Sequence, residues 1–295
     1  MAAGDTITQS LADSLDTVVA SARQIREYEG VMPNLVDKVT LSEGTGTSWR
    51  EISMAALSAQ NITETTTLDN PQQMSDTVFS ITPTVTGIQT LVTDRVASRI
   101  NSQSYAQLGS LAQQAIQRKK DEDGLTVLDG ATTSLSGAGT TLASGVIAAA
   151  AYRISSNATE PGNPPYRCVL HGFQIKDLYD ELTAHIGTAA AGETTDGLTA
   201  RVFTEGFRGK IAGGEVFEDG NITIDSSTDD AKGGVFAQEA IVMVQGRAPR
   251  TATVRREDIG GGATVVYLYD EYAYGERSAG NWLFEVISDA TAPTS

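Results

Sequence analysis

Cysteine and histidine are nearly missing from this chain. Its 295 residues hold one cysteine, Cys168, and two histidines, His171 and His185. A lone cysteine excludes an intramolecular disulfide and any cysteine-based metal cage. Cys168 precedes Val169 and Leu170 in a run that reads as a buried strand, where cysteine acts as a small hydrophobe. Neither histidine stands in an H-E-x-x-H or similar spacing, so zinc is unsupported. The chain has no G-x-S-x-G serine elbow and no Walker loop. Gly137-Ala138-Gly139 fails as a dinucleotide fingerprint, because Leu142 stands where the third glycine is needed. Three acidic groups, Asp121-Glu122-Asp123, Glu218-Asp219 and Asp229-Asp230, do not fit the calcium-loop pattern and read as solvated faces. The expectation is no catalytic, cofactor-binding or metal-binding residue, and no enzyme.

Long apolar runs are absent too. No stretch approaches the ~20 apolar residues of a membrane helix, so no membrane partner is expected. The opening residues MAAGDTITQS carry neither the basic nor the apolar part of a signal peptide, which makes cytosolic synthesis the expectation. The Asn-X-Ser/Thr triplets at Asn61, Asn157 and Asn221 then carry no meaning. Positive charge is short: 21 Lys and Arg against 37 Asp and Glu give a net charge of −16. That balance argues against wrapping nucleic acid, whose affinity comes from cations meeting phosphates. It does not argue against enclosing it, since a container gains from walls that its contents do not stick to. The one dense basic cluster is Arg247, Arg250, Arg255 and Arg256. In so acidic a chain these forks are expected to meet carboxylates of an adjoining subunit rather than phosphates.

What the chain does carry is periodicity. Ile81 to Gly130 runs from a Thr-rich extended segment into one long amphipathic helix. Apolar or small residues recur at Tyr105, Leu108, Leu111, Ala112, Ala115 and Ile116, then at Leu125 and Leu128, the spacing of one core-facing stripe. Gln113, Gln114, Gln117, Arg118, Lys120, Asp121 and Asp123 fall on the other face, expected to meet water or a neighbouring subunit. Asn101 or Ser102 is the expected cap, and Gly130 the expected stop through a left-handed turn. Such a helix over 104–129 spans roughly 40 Å at ~1.5 Å per residue. An earlier amphipathic helix is predicted over 10–28, with Leu11, Leu15, Val18, Val19, Ala22 and Ile25 on one face and Gly30 and Pro33 ending it. It cannot bury that stripe by itself, so it either packs back on its own domain or lies on another subunit, and the second is the expectation.

Ser42 to Asp76 changes character: polar, rich in Gly and Thr, with strand-prone pieces at Trp49 to Ile52 and Val78 to Ile81. It reads as a two-stranded extension that needs cover from outside, because an isolated hairpin is marginal in water. The competing reading is a plain flexible insertion. Beyond the long helix come a Ser/Gly/Thr loop at 131–139 and a short helix carrying Leu142, Val146, Ile147, Ala150 and Ile154. A strand at 166–171 then leads straight into the helix GFQIKDLYDELTAH, and a small, polar, mobile loop is expected at 189–200. The C-terminal third is β-rich, with strands predicted at 241–244, 251–255, 264–274 and 282–287.

An extended segment leading into a long spine helix that ends in DEDGLTVLDG, followed later by the strand-to-helix run CVLHGFQIKDLYDEL and by the glycine step in FRGKIAGGEVFEDGNI, resembles the major capsid proteins of tailed bacteriophages. The resemblance is one of pattern over most of the chain and implies an α+β, Hong-Kong-97-type capsid fold. It implies an N-terminal arm (1–37), an extended E-loop hairpin (43–77), a P-domain with the spine helix and a β-sheet (38–42, 78–130 and 246–278), and an A-domain with a central sheet flanked by helices (131–245 and 279–295). The implied function is a structural protein that self-assembles, as hexamers and pentamers, into an icosahedral shell around double-stranded phage DNA. The implied location is the virion, after synthesis in the host cytoplasm. Contacts between subunits are expected at Trp49, Arg50, Glu51, Arg247, Arg250, Arg255 and Arg256. Candidate further partners are separate scaffolding, portal and decoration proteins. The absence of a long charged helical region ahead of the arm points to a separate scaffold, and Met1 favours that over a cleaved one. The alternatives are an encapsulin-like nanocompartment and, less favoured, a hydrolase-like α/β enzyme using His171 or His185.

Some capsids of this family cross-link themselves through an E-loop lysine. Ser42 to Asp76 contains no lysine. Shells boiled in denaturant should therefore release single-chain bands on a gel; a ladder of higher species would refute the expectation.

Overall fold

The computed structural model describes residues 28–44, 46–59, 61–65, 72–99, 104–188, 209–259 and 261–294. The first predicted helix (apart from Tyr28), the capping candidates Asn101 and Ser102, and the loop at 189–200 lie outside the described residues. Five helices and twelve strands are named in chain order. The helices are α1 (Met32–Leu35), α2 (Asp94–Arg99), α3 (Ser104–Asp129), α4 (Ser144–Ser155) and α5 (Gly172–Thr188). The strands are β1 (Asp37–Thr40), β2 (Trp49–Met54), β3 (Asp76–Ile81), β4 (Thr84–Thr93), β5 (Ser134–Ser136), β6 (Tyr166–Leu170), β7 (Lys210–Ile211), β8 (Gly214–Glu218), β9 (Asp230–Ala237), β10 (Ile241–Arg256), β11 (Ala263–Glu276) and β12 (Leu283–Asp289).

The long helix forms as α3, and its stripe residues Ala112, Ile116, Leu125 and Leu128 are buried. Two residues of its expected outer face do not stay outside. Lys120 and Asp121 are buried as well. The helix has β11 on one side and the incoming segment around α1 on another, so its C-terminal half is enclosed over more than one stripe. Gly124 lets this happen: a Cβ there would stand 2.9 Å from the Cβ of Met32. Gly130 does not adopt the left-handed conformation. Its N–H donates to the Thr126 carbonyl at 3.1 Å and the Ala131 N–H to that of Leu128 at 3.2 Å, which satisfies those carbonyls without a left-handed turn.

Two sheets share the body. The larger has the order β5-β12-β9-β6-β8-β7, the smaller β1-β10-β11-β4. In the larger, β6 lies between β8 and β9, and Cys168, Val169 and Leu170 are fully buried, as a short uninterrupted apolar strand requires. The main core forms between this sheet, α4 and the end of α3, around Ile147, Ile154, Phe236, Leu128 and Leu283. The loop expected at 131–139 contains the short strand β5, paired in parallel with β12.

The strands predicted separately at 241–244 and 251–255 are one strand, β10. It starts buried at Ile241–Val244 and then runs outward along β11, with register shifts between Gln245 and Arg250. Gly246 and Pro249 in that interval mark the irregularity, because proline cannot donate to a ladder. β1 pairs in parallel with the buried start of β10, while β4 runs along the far side of β11. β2 and β3 form a separate two-stranded ribbon.

Two glycines test the packing. At Gly233 in β9 a Cβ would fall 2.4 Å from the Val169 carbonyl oxygen; at Gly109 on α3 it meets nothing within 4 Å. Gly233→Ala should cost on the order of 2 kcal/mol or more in urea unfolding of the unassembled chain. Gly109→Ala should add about 0.5–1 kcal/mol.

Candidate functional site

The β2–β3 ribbon is the least covered part of the described structure. Its register sets Ile52 opposite Val78 and Met54 opposite Asp76. Alternation then places Arg50, Ile52, Met54 and Val78 on one face. Ile52, Met54 and Val78 are 60%, 68% and 55% exposed. Leu57, Ile62 and Met74, further out, are exposed too, so six of the ten exposed large hydrophobics among the described residues fall between residues 52 and 78. A soluble chain rarely gathers so much apolar surface without something to cover it. This favours a docking extension over a plain insertion.

The root of the ribbon is fixed firmly. Trp49 meets Phe79 edge-on at 6.2 Å, and Ile81 packs on Val242 and Val244. Arg277, just past β11, closes the joint. Its guanidinium reaches Glu51 at 2.6 Å, Asp37 at 2.9 Å and the Glu239 carbonyl at 3.0 Å, and lies 5.6 Å from the Trp49 ring centre. Trp49 and Glu51 are thus engaged within the chain, whereas Arg50 is exposed and makes no ion pair among the described residues. Sequence reasoning missed Arg277, because its partners lie as far away as residue 37 and no motif marks it.

The four arginines of β10 divide into two pairs. Arg255 grips Asp94 with both guanidinium ends, at 2.8 and 2.5 Å, and Glu257 with its Nε at 2.7 Å. Those hydrogen bonds to Glu257 and Asp94 raise its pKa further. Arg256 binds Asp258. Both therefore meet carboxylates of their own chain. Arg250 lies 5.2 Å from the centre of the Tyr269 ring, which stacks on Tyr267 at 5.7 Å. Arg247 and Arg250 are exposed and have no carboxylate partner among the described residues. They are the free cations of this strand.

Of the two histidines, His171 is engaged in packing. His171 meets Phe173 edge-on at 4.6 Å, and its Nδ1 accepts from the Phe173 N–H at 3.2 Å. Burial lowers its pKa, partly opposed by Glu218, so the ring is an uncharged element of structure at neutral pH. Cys168 is fully buried, which pushes its thiol far up and leaves it inert. The side chain of His185 lies outside the described residues. Among the described residues no group of three or more His, Cys, Asp and Glu could hold a metal ion, and no helix is long and apolar enough to cross a membrane.

Comparison with solved structures adds what the side chains leave open. The capsid structure of the cyanophage P-SCSP1u matches with a TM-score of 0.68 at 13% identity, over 95% of this chain and 94% of that one. The cyanophage Pam1 capsid matches with a TM-score of 0.69 at 10% identity, over 99% of this chain and all of that one. A chain from Mycobacterium phage Che8 reaches a TM-score of 0.71 at 16% identity, over 94% and 97% of the two chains. The fold is that of tailed-phage major capsid proteins. It is α+β and of the Hong-Kong-97 type. No protein-family model and no curated protein sequence matches.

Arg277→Met removes the joint while keeping a stem of similar reach. It should cost about 1–3 kcal/mol and speed protease cleavage between residues 55 and 75. Unchanged cleavage there would show that the ribbon is held by something else.

Proposed function

We propose that this chain is the major subunit of an icosahedral capsid that self-assembles around packaged double-stranded DNA. The observation that carries this is coverage: solved phage capsid chains match it over nearly their whole length and its own. In this reading the P-domain comprises residues 38–42, 78–130 and 246–278, the A-domain 131–245 and 279–295, the E-loop 43–77 and the arm 1–37. The arm and the E-loop lie on neighbouring subunits. The shell has its place in the virion and its synthesis in the host cytoplasm. The chain has no catalytic role, and scaffolding, portal and decoration proteins are separate partners.

The apolar ribbon face supports the E-loop assignment. Each of Ile52, Met54 and Val78 would contribute about 1.5–3 kcal/mol on full burial against a neighbour. Single contacts of that size are weak, but a closed shell repeats them and gains through effective concentration. Arg50, Arg247 and Arg250 are the contacts with charge to spare, and acidic surfaces of an adjoining subunit fit them. Trp49, Glu51, Arg255 and Arg256 act one step back, by setting the ribbon root and the course of β10. A net charge of −16 keeps the wall from adhering to DNA.

The test is assembly. The double variant Arg247→Glu with Arg250→Glu should fold with native circular dichroism yet give no shells by size exclusion and electron microscopy, where the unaltered chain gives closed shells or rings. Normal shells from the variant would remove these two residues from the interface. A monomer from the unaltered chain, with a scaffold supplied, would overturn the capsid function itself.

A further inference from the structure

Where the incoming chain meets α3, two carboxyl groups are buried together. Asp121 on α3 and Asp219 just past β8 are both 0% exposed. Asp121 Oδ1 accepts from the Met32 N–H at 2.9 Å, and its Oδ2 from the Asn221 side-chain amide at 2.8 Å. Asp219 Oδ1 accepts from the Asn221 N–H at 2.9 Å, and its Oδ2 from the Val31 N–H at 3.3 Å. Asn221 thus donates to both carboxyls, one through its side-chain amide and one through its backbone N–H, which sets the two side by side. Gly30 lies directly on them: a Cβ there would stand 1.8 Å from Asp121 Cγ, which no side chain could tolerate. Next to it the Tyr28 hydroxyl donates to the Glu218 carbonyl at 3.1 Å.

All four amide donors are neutral, and neither aspartate makes a salt bridge among the described residues. The nearest candidate cation, Lys120, is taken by Asp270 at 2.6 Å. Two carboxyls buried side by side with only neutral donors disfavour two negative charges, so one proton is favoured between them. Burial pushes Asp219 up to about 7, reinforced by the charge of Asp121 and opposed by the N–H groups of Asn221 and Val31. The other ionisable groups around the pair do not compete for that proton. Burial raises Tyr28 and Tyr274. Tyr272 is raised by burial and by its hydrogen bond to Asp123, which Lys119 also pairs. Glu218 is exposed beside His171, whose pKa is lowered.

We propose that Asp121 and Asp219 form a proton-operated clamp: with one shared proton they hold Tyr28 to Met32 against α3, and its loss toward alkaline pH loosens that segment. The attached state holds the proton more tightly than the released one. Attachment therefore weakens as pH rises from the ordinary carboxylate range to about 7 and levels off above it. The clamp operates within one subunit and does not depend on assembly. Its place in the chain gives it reach, since residues 28–32 join everything N-terminal to the body of the fold.

Amide hydrogen exchange on the full-length, unassembled chain tests this, with rates corrected for intrinsic exchange and followed from pH 5 to pH 9. Protection in peptides covering 28–36 should fall roughly tenfold between pH 6 and pH 8, while β9 and β12 peptides stay constant. Asp219→Asn keeps a donor toward Asp121 but cannot titrate, so its 28–36 protection should lose the pH dependence; Asp121→Asn should only weaken it, because burial still acts on Asp219. Constant protection of 28–36 in the unaltered chain would overturn the proposal whether or not the variants fold. So would a fall shared equally by β9 and β12, or a pH dependence that survives in Asp219→Asn.

Discussion

The ion pair sealed between α3 and β11 sets the frame for the rest. Lys120 and Asp270 meet at 2.6 Å with almost no solvent access, Lys120 lies 5.2 Å from the Tyr272 ring centre, and the Tyr272 hydroxyl donates to Asp123 at 2.8 Å. A buried pair of this kind is weak evidence for stability, since desolvation offsets most of the attraction. Its effect here is on orientation. At 100° per residue, positions 120 and 123 share one side of α3 and positions 121 and 124 the next. Once Lys120 and Asp123 are tied to β11, Asp121 must face the incoming segment and Gly124 must receive Met32. One rotation of the helix fixes three attachments.

The same helix connects the two sheets. Its C-terminal residues Leu125 and Leu128 enter the core over β9 and β12, while its middle lies on β11. β10 is the second link, since it starts buried beside β1 and ends as an exposed strand bearing the four arginines. β10 therefore has one end anchored and the other at the surface. The ribbon repeats this plan, with Ile81 buried at its root and Met54 and Met74 bare further out. A subunit so arranged has rigid roots and uncovered extremities, which suits a molecule completed by its neighbours.

Much of this was legible in the sequence, and the boundary is physical. The α3 stripe, the strand-to-helix turn after Leu170 and the strands of the ribbon were readable because each rests on local periodicity. Lys120 and Asp121 were misassigned because the partners that make their burial tolerable, Asp270 and Asn221, lie 150 and 100 residues away. Arg277 was missed for the same reason. Gly130 was given a left-handed turn it does not adopt, since Ala131 supplies the closing N–H instead. For the arginines the spacing was readable and the partners only half so. Glu257 and Asp258 follow Arg255 and Arg256 by two residues and could have been paired on sight, whereas Asp94 could not.

That division among the arginines bears on how an acidic chain could recognise its own copies. With 37 acidic against 21 basic residues, every subunit repels every other at long range. In the proposed assembly, attraction would then come from a few unneutralised cations at short range and from apolar surface. Arg255 and Arg256 fail the first requirement because their charge is answered inside the chain; Arg50, Arg247 and Arg250 meet it. The ribbon face meets the second, with Ile52, Met54 and Val78 gathered beside Arg50. Contacts built this way are short-ranged and individually weak, so they hold only where several form at once. In the proposed capsid, a closed, repeated arrangement would supply several such contacts at once, which a stray pair would not.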